Sequence, residues 1–442
     1  MSSWTIRGKF KKAVSPKIRI GIFSVEQLEL SSVHKGVADC SARGSGYKAT
    51  VFWIVRTLRF KKLYGTVMRT IETEFDPNRN NIDVIRLVAA SLVIFSHSWP
   101  LTGNEVDPVT WLSGYRVGGG SLAVMVFFVL SGFLVSKSAI ERNIGDYISG
   151  RFLRIVPALT VVSIIEVFIL GAVLTKMPLM DYFSHPTTLA HLKNGFIFPI
   201  EFNLPGVFEG GFYPHVNGSL WTLPVESFLY LCLPILAVCG LLTRRWGGVL
   251  LIAILILHIY SSKELGLSDA NRGPLVFKGV PAWTLLHYGI FFFFGVIFYI
   301  YRASIPISRG AALVAVVVFF GAKGTIIDNY AFCLSISYLT IFLAVGLKEI
   351  ISVRAIGDLS YGIYITGWPV QKVFIMFMPS ASPIVIAAVA LPVSALLAYT
   401  SWHLIEKPFL ILRKRYNKRT IKEPIEAKVT SEPLTGLDVI PK

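Results

Sequence analysis

The sequence predicts an all-α, polytopic membrane bundle of about ten transmembrane helices, with both termini in the cytoplasm. Charged residues make up only 16% of the 442, against 53% hydrophobic, whereas water-soluble domains carry about 25% charge. Apolar runs recur along the chain, each near the roughly 20 residues that a helical span needs. The net charge of +17 is gathered at the two ends: 15 Lys/Arg precede Asn80 and nine lie from Lys407 onward. Basic ends flanking an apolar bundle fit cytoplasmic segments facing anionic headgroups. They do not fit a nucleic-acid binder, because no aromatic residues interleave with the basic ones to stack on bases.

Residues 1–80 form a basic extension with only patchy apolarity. No long apolar core with a small-residue cleavage site follows the first charges, so no signal peptide is expected. The run Ala49 to Val55 is too short to span and is hemmed by Arg56, Arg59, Lys61 and Lys62. It suits an interfacial amphipathic helix over about 49–72 or a disordered cytosolic stretch equally well. Met68 is a second candidate start. After Asn80 ten apolar segments follow, at 82–102, 117–137, 154–175, 218–241, 247–262, 282–301, 309–323, 331–347, 358–378 and 383–405. The fifth and seventh are the shortest. With the N-terminus inside, the inner connections hold ten Lys/Arg and the longer outer ones seven, the sign that the positive-inside bias requires. The membrane domain is expected over 81–409 and a disordered charged tail over 410–442.

The first segment carries Arg86 and His97, eleven positions apart. At about 100° per residue both fall on one helix face, roughly 16 Å apart along the axis. Ionisable groups in a span face a bundle interior or a wet cavity, and they mark functional sites. The second segment is rich in Gly and Ser (Gly118, Gly119, Gly120, Ser121, Ser131, Gly132), which permits close helix approach. Ser131 has no base at a helical offset and is expected to be structural or to touch substrate. Arg151 and Arg154 share a face at the inner mouth of the third span. They serve either as charge anchors or as a clamp for a polyphosphate such as the nucleotide end of coenzyme A. Glu226 lies near the outer end of the fourth span, five residues after Trp221. His97 and Arg86 are its expected partners, and a His–Glu pair would tune a general base. His403 and Glu406 read as interfacial anchors.

Metal chemistry is not expected. His185, His191 and His215 in the 176–217 connection are spaced for no compact zinc site, and the four Cys give neither metal spacing nor a disulfide framework. Cys232 and Cys239 read as small packing residues.

These stretches together resemble the membrane acyltransferase family 3, polytopic O-acyltransferases that modify bacterial cell-surface glycans. The resemblance runs from about Asn81 to Phe409. Arg86-x10-His97 matches the first-span signature, and FFVLSGFLV (Phe127 to Val135) matches the second-span motif. Arg151-x-x-Arg154 matches the paired arginines, and WTLPVE matches the Trp-Ser-Leu-x-Val-Glu block with Thr222 in place of Ser. LSYGIY and IEKPF match the closing blocks. The resemblance implies cytoplasmic acyl-CoA, often acetyl-CoA, as a co-substrate with no permanently bound cofactor. It implies a glycan hydroxyl as acceptor and a bacterial inner membrane as the location. On this reading His97 and Glu226 are catalytic, Arg86, Arg151 and Arg154 bind the donor, and Trp221 and Ser131 bind substrate or support the structure. Two departures stand out. The family often has a His before the Trp-Pro of the ninth span, where this chain has Gly367. The chain also stops too soon for the C-terminal hydrolase-like domain that some members carry. A transporter or flippase of an amphiphilic glycan or lipid precursor is the competing class. It predicts two halves of related pattern, and none is visible. A bare membrane scaffold would leave Arg86, His97 and Glu226 unexplained.

Overall fold

A computed structural model describes residues 69–413. The expected tail beyond 413, and nearly all of the basic extension with its proposed helix at 49–72, lie outside the described residues. Ten helices coincide with the ten predicted segments: α1 (Ile82–Leu101), α2 (Gly119–Glu141), α3 (Ile144–Ile165), α4 (Thr222–Val238), α5 (Gly247–Lys263), α6 (Ala282–Ile300), α7 (Arg309–Gly321), α8 (Asp328–Ile341), α9 (Ser360–Phe377) and α10 (Pro383–Ser401). Seven helical stretches, those built on α1, α2, α3, α4, α6, α8 and α10, are long and apolar enough to cross a membrane. Helices α5 and α7 are shorter, and α9 is long enough but carries Gln371 and Lys372.

Helix α3 begins ten residues before the predicted 154. Its first turns, IGDYISGRFL, are amphipathic rather than apolar, so a hydropathy window passes over them. The start is set instead by Asn143, whose side chain accepts from the Asp146 N–H at 2.7 Å, as an N-cap should. Three helices run on through a wider π turn: α3 through Glu166–Gly171, α8 through Phe342–Gly346 and α10 through Trp402–Glu406.

The small residues of α2 do what their pattern predicts. A Cβ on Gly132 would sit 1.9 Å from the Phe292 carbonyl oxygen, and one on Gly295 would sit 2.1 Å from that of Val129. Helices α2 and α6 therefore touch backbone to backbone, and the main apolar core condenses around them with Phe128, Phe133, Phe291 and Phe292 fully buried. A second cluster joins α1 to α9 and α10 through Ala90, Ile94, Ile363, Ala390 and Ala398. Residues 69–81 pack on the turn after α6 and on the segment after α8. Ile71 is fully buried and donates its N–H to Ile305 O, and Asn81 bonds the carbonyls of Leu343, Leu347 and Lys348.

The 176–217 connection is folded. Short helices at Leu179–Ser184 and Pro186–Leu192 cover a third cluster of Val167, Tyr182, Leu204, Val207 and Val216. His191 is fully buried there: its Nε2 lies 2.9 Å from the Glu166 carboxylate, which also accepts from Asn217 Nδ2 at 2.7 Å. The only β structure among the described residues is a hairpin of Leu275–Phe277 and Val280–Pro281.

Candidate active site

The three predicted arginines converge at the end of the bundle where α1 and α3 begin. Between them lies Asp358, in the connection just before α9. Its Oδ2 accepts from Arg86 Nη1 and from Arg154 Nη2, each at 2.6 Å. Its Oδ1 accepts from Ser360 Oγ at 2.5 Å. Burial alone would push this carboxyl up, but Arg154, Arg86 and the Ser360 hydrogen bonds together hold it well below the usual carboxylate range. Arg154 reaches a second acid, Glu406, at 2.5 Å. Glu406 is 1% exposed, so it is not the interfacial anchor its sequence position suggests: the π turn at the end of α10 rotates it inward. The Arg154 guanidinium also lies over the rings of Tyr361 and Trp402, 5.7 and 5.5 Å from their centroids.

Beside this network opens a cavity of about 410 Å³. Arg86, Arg151, Arg154 and Arg413 line it, with Glu226 the one carboxylate on its wall. Arg151 makes no ion pair among the described residues. Its guanidinium lies 5.9 Å from the Tyr230 ring centroid. A smaller chamber of about 50 Å³ adjoins deeper in the bundle and shares Arg86, Ser131, Glu226 and Tyr361 with the first. Four arginines around one space suit a ligand with several phosphates, with Arg151 the one of the three predicted arginines not engaged by a carboxylate among the described residues.

Glu226 sits where these chambers meet. It is eight residues into the continuous helical stretch Gly218–Val238, about 12 Å from its start. Its carboxylate accepts from Ser131 Oγ at 2.7 Å and from the Tyr230 hydroxyl, which is also 3.0 Å from Ser131 Oγ. Neither expected partner is bonded to it: Arg86 pairs with Asp358, and His97 makes no hydrogen bond to Glu226. A base for Ser131, absent at any helical offset, is supplied across space from α4. Trp221 packs against Tyr288, with ring centroids 5.1 Å apart, and lines neither chamber; of its two expected roles the structural one fits.

His97 lies toward the other end of α1. Its ring meets the edge of Trp368, with centroids 5.0 Å apart and planes at 77°. On the α2 side it faces Gly120, where a Cβ would sit 3.4 Å from Nε2. Its Nδ1 is buried without a hydrogen-bond partner among the described residues. The neighbouring Ser96 bonds Asp107, whose carboxylate also takes the N–H of Gly119 at 2.9 Å and of Thr110 at 2.7 Å. Burial would raise the Asp107 carboxyl, but these hydrogen bonds lower it below its ordinary value. Gly367, where the resemblance would have a His, packs against α1: a Cβ there would lie 2.7 Å from Ile94 Cγ1. A side chain there would require Ile94 to move, and Trp368 is the aromatic partner His97 has.

Of the residues singled out in the sequence, Arg86, Arg151, Arg154, Ser131 and Glu226 line the arginine cavity or the chamber beside it, and His97 lines neither; Asp358, Tyr230, Tyr361 and Arg413 were passed over. Asp358 stands directly before the LSYGIY block, and an acid two residues ahead of a helix start was the available signal.

The chain is similar to known proteins. Residues 79–403 match an acyltransferase-domain family. The chain is 32% identical over 338 residues to a protein named O-acetyl transferase from Shigella phage Sf6, covering 75% of this chain and 96% of that protein. It is 31% identical over 228 residues to Nodulation protein 10 of Rhizobium leguminosarum bv. viciae, covering 48% of this chain and 59% of that one. No solved structure matches.

Proposed function

The chain belongs to acyltransferase family 3, and we propose that it moves an acetyl group from cytoplasmic acetyl-CoA to a hydroxyl of a cell-surface glycan. Membership makes it a membrane acyltransferase and sets aside transport without covalent chemistry. The observation that carries the donor is the cavity with four arginines around it and a narrower chamber leading inward. The diphosphate and 3′-phosphate of coenzyme A supply the anions such a cavity lacks. The pantetheine arm then runs past Glu226, Ser131 and Tyr230 toward His97, roughly 16 Å beyond Arg86 along α1. Acetyl as the group moved is supported by the name of the phage relative. The glycan acceptor rests on the family resemblance. The Lys/Arg bias of the connections supports the arginine end as the cytoplasmic one, in a bacterial inner membrane.

In this mechanism a nitrogen of His97 takes the proton of the acceptor hydroxyl. The oxygen attacks the thioester carbonyl, the C–O bond forms, the C–S bond breaks, and coenzyme A leaves as the thiolate. Transient acylation of His97 by the same thioester is the two-step variant. Trp368 and Gly120 position the imidazole. Glu226 keeps the conduit polar and fixes Ser131 and Tyr230, a supporting role that replaces the direct pairing with His97. General-base assistance is worth roughly 10²–10⁴ in rate. With purified protein, labelled acetyl-CoA and a glycan acceptor, His97→Ala should lose transfer by that factor and still bind coenzyme A. Full transfer by that variant overturns the mechanism.

A further inference from the structure

A catalytic histidine is commonly oriented by a hydrogen bond to its second ring nitrogen. His97 is not: its Nδ1 has no hydrogen-bond partner among the described residues, and its ring rests on Trp368 of α9 and faces Gly120 of α2. Its orientation therefore depends on how the backbone that carries it is held. Both of its neighbours in the chain are tethered. Ser96 donates its hydroxyl to the Asp107 carboxylate in the α1–α2 connection, and the same carboxylate oxygen takes the Gly119 N–H at 2.9 Å. Ser98 accepts from the Gln371 amide of α9 at 2.7 Å, and that amide also reaches the Ile94 carbonyl at 2.7 Å. All four tethering side chains, Ser96, Ser98, Asp107 and Gln371, are buried. Successive helix residues point about 100° apart, so one tether lies on each side of the His97 ring.

From this geometry we infer that Asp107 and Gln371 are positioning residues for the transfer, fixing the His97 ring between Gly120 and Trp368 by holding Ser96 and Ser98. The inference rests on the reading of His97 as the base and names what keeps it in place. Asp107 binds three elements together. One oxygen joins Ser96 of α1 to Gly119 of α2, and the other takes the Thr110 N–H at 2.7 Å and the Thr110 hydroxyl at 3.0 Å. Hydrogen bonds to a carboxylate are about twice as strong as neutral ones, and buried ones are costly to leave unmade. The clamp acts close to the ring: Ser96 Oγ and His97 Nε2 lie 3.5 and 3.4 Å from where a Gly120 Cβ would stand, so they are no farther apart than those two distances together. On the other side Gln371 and Trp368 are three residues apart on one face of α9. The amide that grips α1 and the ring that meets His97 therefore move as one body. A catalytic group displaced by about 1 Å can lose on the order of 10²-fold in rate, which is the precision these tethers serve.

The test uses purified full-length protein, labelled acetyl-CoA and polysaccharide extracted from the bacterial envelope as acceptor. Ser96→Ala and Gln371→Met each remove one tether and leave His97, Asp107 and Trp368 in the chain. Thr110→Val is the control, because it removes a hydrogen bond to the same Asp107 carboxylate on the side away from α1. Each tether variant should lower kcat about tenfold or more. KM for acetyl-CoA should change less than about twofold, since Arg86 lies roughly 16 Å away along α1. Thr110→Val should lower the thermal midpoint about as much as Ser96→Ala does and keep kcat within about twofold of the wild type. A kcat that stays within twofold in a tether variant overturns the role of that tether. An equal fall in kcat for Thr110→Val and Ser96→Ala shows that Asp107 only caps the connection, and overturns its positioning role while leaving His97 as the base. Full transfer by His97→Ala overturns the base and the tethers with it. Should Gln371→Met fail to accumulate, Ser96→Ala decides alone, because it removes one oxygen and adds no bulk.

Discussion

Asp358→Asn separates the two jobs that the arginine network combines. In the folded protein one carboxylate oxygen accepts from both Arg86 and Arg154 at 2.6 Å, and the three side chains are 24%, 16% and 18% exposed for Arg86, Arg154 and Asp358. Removing one member of a buried ion pair costs about 3–5 kcal/mol, because the remaining charge is left uncompensated. The wet cavity alongside screens part of that, so the expected loss is near the lower figure, about 3 kcal/mol. Asparagine keeps the shape and one acceptor oxygen, so the loss reports charge rather than volume. The two freed guanidiniums then face the space assigned to the donor's phosphates. Coenzyme A should bind the variant at least as tightly as the wild type and stabilise it more. A ligand at 100 times its Kd contributes about 2.7 kcal/mol, of the same order as the loss. The assay is thermal unfolding in detergent, followed by tryptophan fluorescence, with and without saturating coenzyme A. The expected result is a lower midpoint for Asp358→Asn without ligand and a larger upward shift with it. An unchanged midpoint refutes the network as a stabilising element, and a smaller shift than in the wild type refutes these arginines as the phosphate seat. The pH dependence has a definite sign. The Asp358 carboxyl is depressed in the folded state, so its contribution is complete above the unfolded value of about 3.9 and fades only as pH falls below that. Between pH 8 and 5 the wild-type midpoint should therefore show no loss from this pair.

Two further outcomes follow from close approaches in the bundle. Gly132→Ala puts a methyl 1.9 Å from a backbone carbonyl of α6, so it should cost at least the 1–3 kcal/mol typical of overpacking and lower the amount of folded protein recovered from membranes. Gly367→His, which restores the family's usual residue, should lower activity rather than raise it, because Ile94 fills the space. The paired variant with Ile94→Ala should recover part of the loss in the same transfer assay.

The bundle was legible because its signal is local. Each apolar run is contiguous, so ten segments could be read and ten helices coincide with them. The site was legible to the extent that its members sit at fixed spacing on one helix, as Arg86 and His97 do on α1 and Arg151 and Arg154 on α3. What pairs across helices was not legible. Asp358 lies 272 residues from Arg86 and 204 from Arg154, and Glu406 lies 252 from Arg154. No pattern in the chain says which acid meets which base at those separations. The expected His97–Glu226 pair failed for the same reason: the two were matched by chemistry alone, and the packing of α2 between α1 and α4 gives Glu226 to Ser131 instead. His191 shows the converse. It reads as a loop histidine because its partner, Glu166, hides in a helix whose apolar neighbours mask it.

The unequal treatment of the two ends of α1 is itself an argument for direction. At the Arg86 end four arginines and one carboxylate, Glu226, line the open space, with Asp358 and Glu406 paired to two of those arginines. The lining keeps an excess of arginine over carboxylate, which favours a ligand that brings negative charge. At the His97 end the acid Asp107 is already committed to Ser96, Thr110 and Gly119, and His97 faces an aromatic edge and a glycine. An imidazole nitrogen without a hydrogen-bond partner among the described residues is suited to taking a proton from a hydroxyl. On the proposed mechanism the polyanionic donor belongs at one end and the neutral acceptor at the other, and the glycine-tight contact of α2 with α6 would hold the distance between them. If that contact sets the length, loosening it should impair transfer more than it impairs coenzyme A binding, because only transfer requires both ends in register.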